Sequence, residues 1–150
     1  MFLEQLLSNK ILIGGIIPWF LAQFLKVPIH YLAHKQWKFG LWLSTGGMPS
    51  SHSALVAGIT LASGLYAGFN SAPFAIAFAL TMVVTYDAAG IRRQAGFHAE
   101  RINFLFNELL SGHPLSEENL KEMLGHSPSQ VVGGLLLGLL TSWLLWFCGF

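Results

Sequence analysis

The feature that most constrains this chain is its last stretch. Val131 to Phe150 reads VVGGLLLGLLTSWLLWFCGF, without a single Asp, Glu, Lys or Arg. As a helix such a run is about 30 Å long, the thickness of a bilayer's hydrocarbon core. A helix that is apolar all round belongs in a large core or in a membrane, and 150 residues do not build a large core. Composition agrees: 53% of residues are apolar and 10% charged, where a soluble domain carries about a quarter charged. The mean hydropathy is +0.56. Three further stretches are apolar enough to cross: Ile11 to Leu25, Ser53 to Phe69 and Ala72 to Ala89. The first is short unless Met1 to Leu7 extends it. The expected fold is all-α, a polytopic membrane bundle of about four transmembrane helices plus short interfacial helices, in one domain over residues 1–150.

Several classes drop out on the same grounds. The 12 Phe and 5 Trp exclude disorder. A net charge of +1 offers nothing for nucleic acid. Cys148, the single cysteine, permits neither an intrachain disulfide nor a cysteine-built zinc site. Glu4 and the lack of a basic leader argue against a cleaved signal peptide. Within the spans, Gly58 with Ala62 and Gly134 with Gly138 have the small-xxx-small spacing that brings helix backbones close in lipid.

Four crossings place both long connections, Lys26 to His52 and Gly90 to Gln130, on one side of the membrane. The Asn70–Ser71 turn and both termini fall on the other. The longer connection should carry helices of its own: AERINFLFNELL has an apolar stripe in Ile102, Leu105, Phe106 and Leu109, and SEENLKEMLG opens on Ser116 and closes on Gly125. Lys26, His52, Asp87, Arg92, Arg93, His98, Glu100 and His126 gather on the loop side, several at the ends of spans. Ionisable groups there are functional candidates by default.

Three segments carry chemistry. In GGMPSSHS, Gly46 to Ser53, a serine should cap a helix whose free N–H groups form an anion site, with His52 placed to donate a proton. In YDAAGIRRQAGFHAE, Arg92 and Arg93 could clamp a phosphate or anchor a helix end at headgroups, and Asp87 is expected to pair with one of them. In LGHSPSQVVGG, Ser127 to Gln130 reads as a capping box with Pro128 at the first helical position, which puts His126 just before a helix. A neutral imidazole attacks phosphorus and a second protonates the leaving oxygen. His30 and His34 stand four apart, as a metal pair would if helical, but Lys35 and Lys38 oppose a cation there, and no metal site is expected.

With these segments quoted, the sequence resembles the type 2 phosphatidic acid phosphatase superfamily. Within it, the chain is similar to the small divergent branch related to acid phosphatases and vanadium-dependent haloperoxidases. The resemblance runs from Gln23 to Gly134. The superfamily motif Pro-Ser-Gly-His is matched by Pro49, Ser50 and His52, with Ser51 in the glycine's place. Its last motif, a histidine followed four residues later by an acid, is matched at His126. The resemblance implies His126 as nucleophile, His52 as general acid, and Ser50 and nearby amides as phosphate ligands; Ser51, whose hydroxyl adds a donor at the same helix start, is a further phosphate-binding candidate. It implies a lipid phosphate as substrate, and no cofactor.

The departures are specific. Gln130 replaces the acid; it can orient an imidazole but not stabilise its charge, which leaves Asp87 and Glu100 as the acids nearest the motifs. The superfamily arginine falls on Leu120, so Arg92 or Arg93 would substitute. Of the first motif Lys26 alone remains. The chain is short for a six-helix core, which leaves room for a homodimer. The expected activity is a metal-independent phosphatase acting on a lipid phosphate or diphosphate; the alternative is a non-catalytic protein that binds lipid phosphate or serves as a partner subunit. Lys26, Lys35, Lys38, Arg92, Arg93, Arg101 and Lys121 stand against Lys10, which assigns the loop side to the cytoplasm.

Overall fold

The computed structural model describes residues 1–44, 46–109 and 127–150, the side chains of 91–93, 95 and 106–109 excepted. Every regular element among them is helical: α1 (Phe2–Leu7), α2 (Lys10–His34), a 3-10 helix (Phe39–Leu43), α3 (Ser51–Ala67), α4 (Ala72–Ala89), α5 (Ile91–Leu109) and α6 (Pro128–Phe147). Three of these, α2, α4 and α6, are long and apolar enough to cross a membrane. The fourth expected span, α3, has 17 residues, about 26 Å by its rise, and forms the centre of a helical membrane bundle.

Small residues decide how the helices meet. A Cβ on Gly58 would run into the carbonyl of Gly14 and lie 2.8 Å from Pro18 Cγ, so α3 touches α2 backbone to backbone. Pro18 has no N–H, which leaves the Gly14 carbonyl without its usual donor and turned to the bare Gly58. Gly134 and Gly138 meet the carbonyls of Ser50 and Ala54 in the same way, so the spacing read from sequence is the packing seam itself.

These contacts fix directions. Gly14 lies beside Ala62 and Gly15 beside Ile59 and Leu55, so α2 runs antiparallel to α3. Gly134 lies beside Ser50 and Gly138 beside Ala54 and Ala57, so α6 runs parallel to it. Gly68, at φ 95°, reverses the chain, and Ser71 caps α4 while donating to the Gly68 carbonyl at 2.6 Å. Thr81 Oγ1 then donates to the Val56 carbonyl at 3.1 Å, tying α4 antiparallel against α3. The N-termini of α3 and α6 and the C-terminal parts of α2 and α4 therefore share one end, as the loop count expected.

Two boundaries differ from the sequence reading. The first span does not close at Lys26: α2 continues to His34, about 37 Å in all, and ends where Lys35 takes a left-handed conformation at φ 56°. It is lengthened from this side and not by Met1 to Leu7, because Ser8 and Asn9 separate α1 from α2. The stripe expected over AERINFLFNELL belongs to α5, which starts at Ile91. Ser116 to Gly125 lies outside the described residues. On α4, Ile76, Phe78, Leu80, Met82 and Val83 stay exposed while Ala77 and Ala88 are buried, an outer face suited to lipid.

Candidate functional site

The shared end is assembled on α2. Pro28 has no N–H to give the Phe24 carbonyl, and the indole of Trp42 supplies one instead, Nε1 donating at 3.3 Å. Gln23 Nε2 donates to the Trp42 carbonyl at 2.6 Å and to the Ser44 carbonyl at 3.3 Å. The 3-10 helix is thus strapped along α2, and the strap delivers the Gly46–Ser53 segment to the bundle. Gly47 takes φ 91°, and a Cβ there would lie 3.7 Å from Cγ and Cδ of Lys26.

Lys26 is 1% exposed, and its Nζ donates to the Ser44 carbonyl at 2.7 Å. A neutral carbonyl does not balance a buried ammonium, which carries three donors. Among the described residues, no ion pair joins Lys26 to a carboxylate. A second anion-seeking group lies next to the strap. Ser50, 0% exposed, caps α3: its Oγ accepts from the Ser53 amide at 3.3 Å and from Ser53 Oγ at 3.0 Å. With both acceptor positions used, its own O–H is left to donate.

The Ser50 amide donates to the Gln130 carbonyl at 3.0 Å, which locks the start of α3 to the start of α6. There the expected capping box forms, Gln130 N to Ser127 Oγ at 3.4 Å and Ser127 N to Gln130 Oε1 at 3.2 Å, with Pro128 in the first turn. Two parallel helices thus present their N-terminal dipoles at one end, beside a buried lysine. His52 is half-buried in the first turn of α3. Asp87 lies six residues beyond Thr81 and His52 four before Val56, so the Thr81 to Val56 bond sets them within about a turn of each other along the axis.

A profile of the divergent PAP2 family matches residues 7–141. The chain belongs to the divergent PAP2 family. It is also 36% identical to the uncharacterized membrane protein YuiD of Bacillus subtilis (strain 168), over 94% of this chain and 96% of that one. No solved structure matches it.

The candidate residues read from the sequence are brought to one end of this fold where they are described. Pro49, Ser50, Ser51 and His52 occupy the α3 entry, and Lys26 and Gln130 flank it on α2 and α6. His126 lies outside the described residues, one position before the α6 cap in sequence. Arg92 and Arg93 open α5, with their side chains outside the description, so the expected pairing with Asp87 falls there too. His30 and His34 do lie on one helix, their rings stacked at 4.4 Å. Sequence reasoning missed Gln23 and Trp42, which hold the strap. Their signal was Pro28, which frees the carbonyl of Phe24 and so creates a need for an outside donor.

Proposed function

We propose that this divergent PAP2 family membrane protein is a phosphatase of lipid phosphates or diphosphates, working at the α3–α6 end of the bundle. The observation that carries the reading is Lys26: a buried ammonium on the Ser44 carbonyl, packed against Gly47 in the loop that enters α3 at the buried Ser50, at the end where two helix N-termini meet. Together they form a preorganised field for an oxyanion. In this reading Lys26, Ser50, Ser51, Arg92 and Arg93 bind the phosphate. The His126 imidazole forms a bond to phosphorus as the P–O bond to the lipid breaks, and His52 protonates the departing oxygen. Water then attacks the phosphohistidine, releasing phosphate. Gln130 orients His126, and Asp87 supports its positive charge.

The protein crosses the membrane several times in this reading, and the positive-inside count puts the site on the cytoplasmic face. Labelling of a cysteine placed at position 36 from the outer face alone would reverse that assignment. The deciding assay is phosphate release by the purified protein from phosphatidic acid, phosphatidylglycerol phosphate and isoprenoid phosphates. Release from at least one, persisting in EDTA, is expected; loss in EDTA with recovery on adding magnesium would mean the charge is stabilised by a metal instead. A binding protein without turnover is the second reading, favoured by Gln130 and by Leu120 in the arginine's place. Lipid phosphate bound but never released as free phosphate would establish it.

A further inference from the structure

Between α2 and the 3-10 helix runs a groove of about 260 Å³ walled by Trp19, Phe20, Gln23, Phe24, Trp42 and Leu43. Its walls are stiffened by ring contacts, Trp19 on Phe20 at 4.7 Å and Phe24 on Trp42 at 5.9 Å, both edge to face. We propose that this groove receives one hydrocarbon chain of the lipid whose phosphate is held at Lys26. The inference rests on the phosphate reading of the Lys26 end, and it adds where the rest of the substrate lies.

Continuity with that end is the argument. The Ser44 carbonyl accepts from Lys26 Nζ at 2.7 Å and from Gln23 Nε2 at 3.3 Å, so the groove's one polar wall and the buried ammonium meet on a single oxygen. Gln23 and Lys26 are about 4.5 Å apart along α2, a step that the first atoms of a lipid beyond its phosphate span. Gln23 Oε1 is buried without a hydrogen-bond partner among the described residues, an acceptor for a hydroxyl on the ligand's head. The volume falls just under the roughly 300–1,000 Å³ of pockets for drug-sized ligands, so it suits one chain and not two. Leu43, 95% exposed, marks the open mouth.

Tryptophan fluorescence tests this in the full-length protein with Trp37, Trp143 and Trp146 changed to Phe, which leaves Trp19 and Trp42 reporting. In phosphatidylcholine vesicles, phosphatidic acid brominated on its chains should half-quench at about one-tenth the mole fraction of brominated phosphatidylcholine, the ratio one charge-assisted contact supplies. Lys26→Met should erase that preference. Phe20→Ala with Leu43→Ala should weaken it about tenfold, and Leu43→Glu, at the exposed mouth, should do the same with helix content unchanged. Unlabelled farnesyl phosphate and lysophosphatidic acid should each relieve the quenching, the stronger competitor naming the chain as isoprenoid or acyl.

Equal quenching by the two brominated lipids would mean ordinary membrane lipid covers the groove and would overturn the proposal. So would the absence of quenching, or relief by neither competitor. Phosphate release from long-chain substrates that ignores both groove variants would overturn it while leaving the phosphatase reading intact. Selective quenching without any phosphate release would support the groove and remove the phosphatase.

Discussion

The two ends of the bundle use polar groups differently. At the Asn70 end the buried polar groups are neutral hydroxyls, Ser63 and Ser142 at 1% exposure each, and the charged or terminal ones lie where water or headgroups reach them: Tyr66 Oη donates to the Phe150 carbonyl at 2.7 Å, Lys10 Nζ stands 5.4 Å over the Tyr66 ring, and Asn9 caps α2 through Leu12 at 3.0 Å. Each finishes a helix end or covers a ring. At the Lys26 end the polar groups are buried: Lys26, Ser50, Ser51 and Ser53 are all within 2% of full burial. Lys26 has no counter-charge among the described residues; burying an ammonium in that way costs several kcal/mol, and capping a helix does not require it. The buried ammonium is what sets the Lys26 end apart, since Ser50 also caps a helix, and it is the group on which the proposed phosphate site depends.

The largest effect expected from breaking this contrast is at the histidines. In the proposed mechanism His126→Ala removes the nucleophile, and it should abolish turnover of every substrate. His52→Ala should slow a lipid substrate by about 10² to 10⁴, and much less a nitrophenyl phosphate, whose leaving group departs unprotonated. Wild-type turnover in purified His126→Ala would end the histidine mechanism.

Next come the lysines, one at each end. Lys26→Met keeps length and removes the buried charge, so phosphate affinity should fall about 10 to 10²-fold by the loss of a charge-assisted contact. Thermal stability should hold or rise, since the desolvation cost disappears with the charge. Lys10→Met should change neither by more than a few tenths of a kcal/mol. Equal effects of the two substitutions on phosphate binding, followed by calorimetry, would erase the distinction between the ends.

The Gly134→Ala substitution probes the lock between the two helix starts. Its Cβ would strike the backbone carbonyl of Ser50, which no rotamer change relieves, so a loss of about 1–3 kcal/mol is expected. Gly40→Ala, with open space around the site, is the control and should be near neutral. Urea or thermal unfolding in detergent compares them directly.

How much of this was legible in the sequence depends on the range of the interaction. The cap at Ser127 to Gln130 is written in four consecutive residues, and the seam at Gly58, Gly134 and Gly138 in a fixed spacing, so both were readable. The common end for the α3 and α6 starts followed from counting spans. The end of α2 was not readable, because Lys26 and Pro28 look like a stop when their partners are unknown. The donors that let the helix continue come from Trp42, and the acceptor for the lysine from Ser44, far away in sequence. Gln23 was unreadable for the same reason: nothing local says that its amide reaches across to two carbonyls.

The smallest effect expected is at Gln130, and its sign is the informative part. Gln130 Oε1 accepts from the Ser127 amide at 3.2 Å, an oxygen position that a glutamate reproduces. Gln130→Glu should therefore preserve the capping box, and a carboxylate in the first turn of a helix gains about 0.3–1 kcal/mol from the dipole. Stability should stay level or rise slightly. Phosphate release should also stay level or rise, because the superfamily's acid would be restored four residues after His126, where a negative charge supports an imidazolium. Melting temperature and phosphate release are measured on the same preparation. A lower melting point would mean that Gln130 also gives an amide N–H that the carboxylate cannot supply. A raised melting point with slower release would mean that the neutral amide is tuned to this site, and that a negative charge added at the start of α6 repels the phosphate.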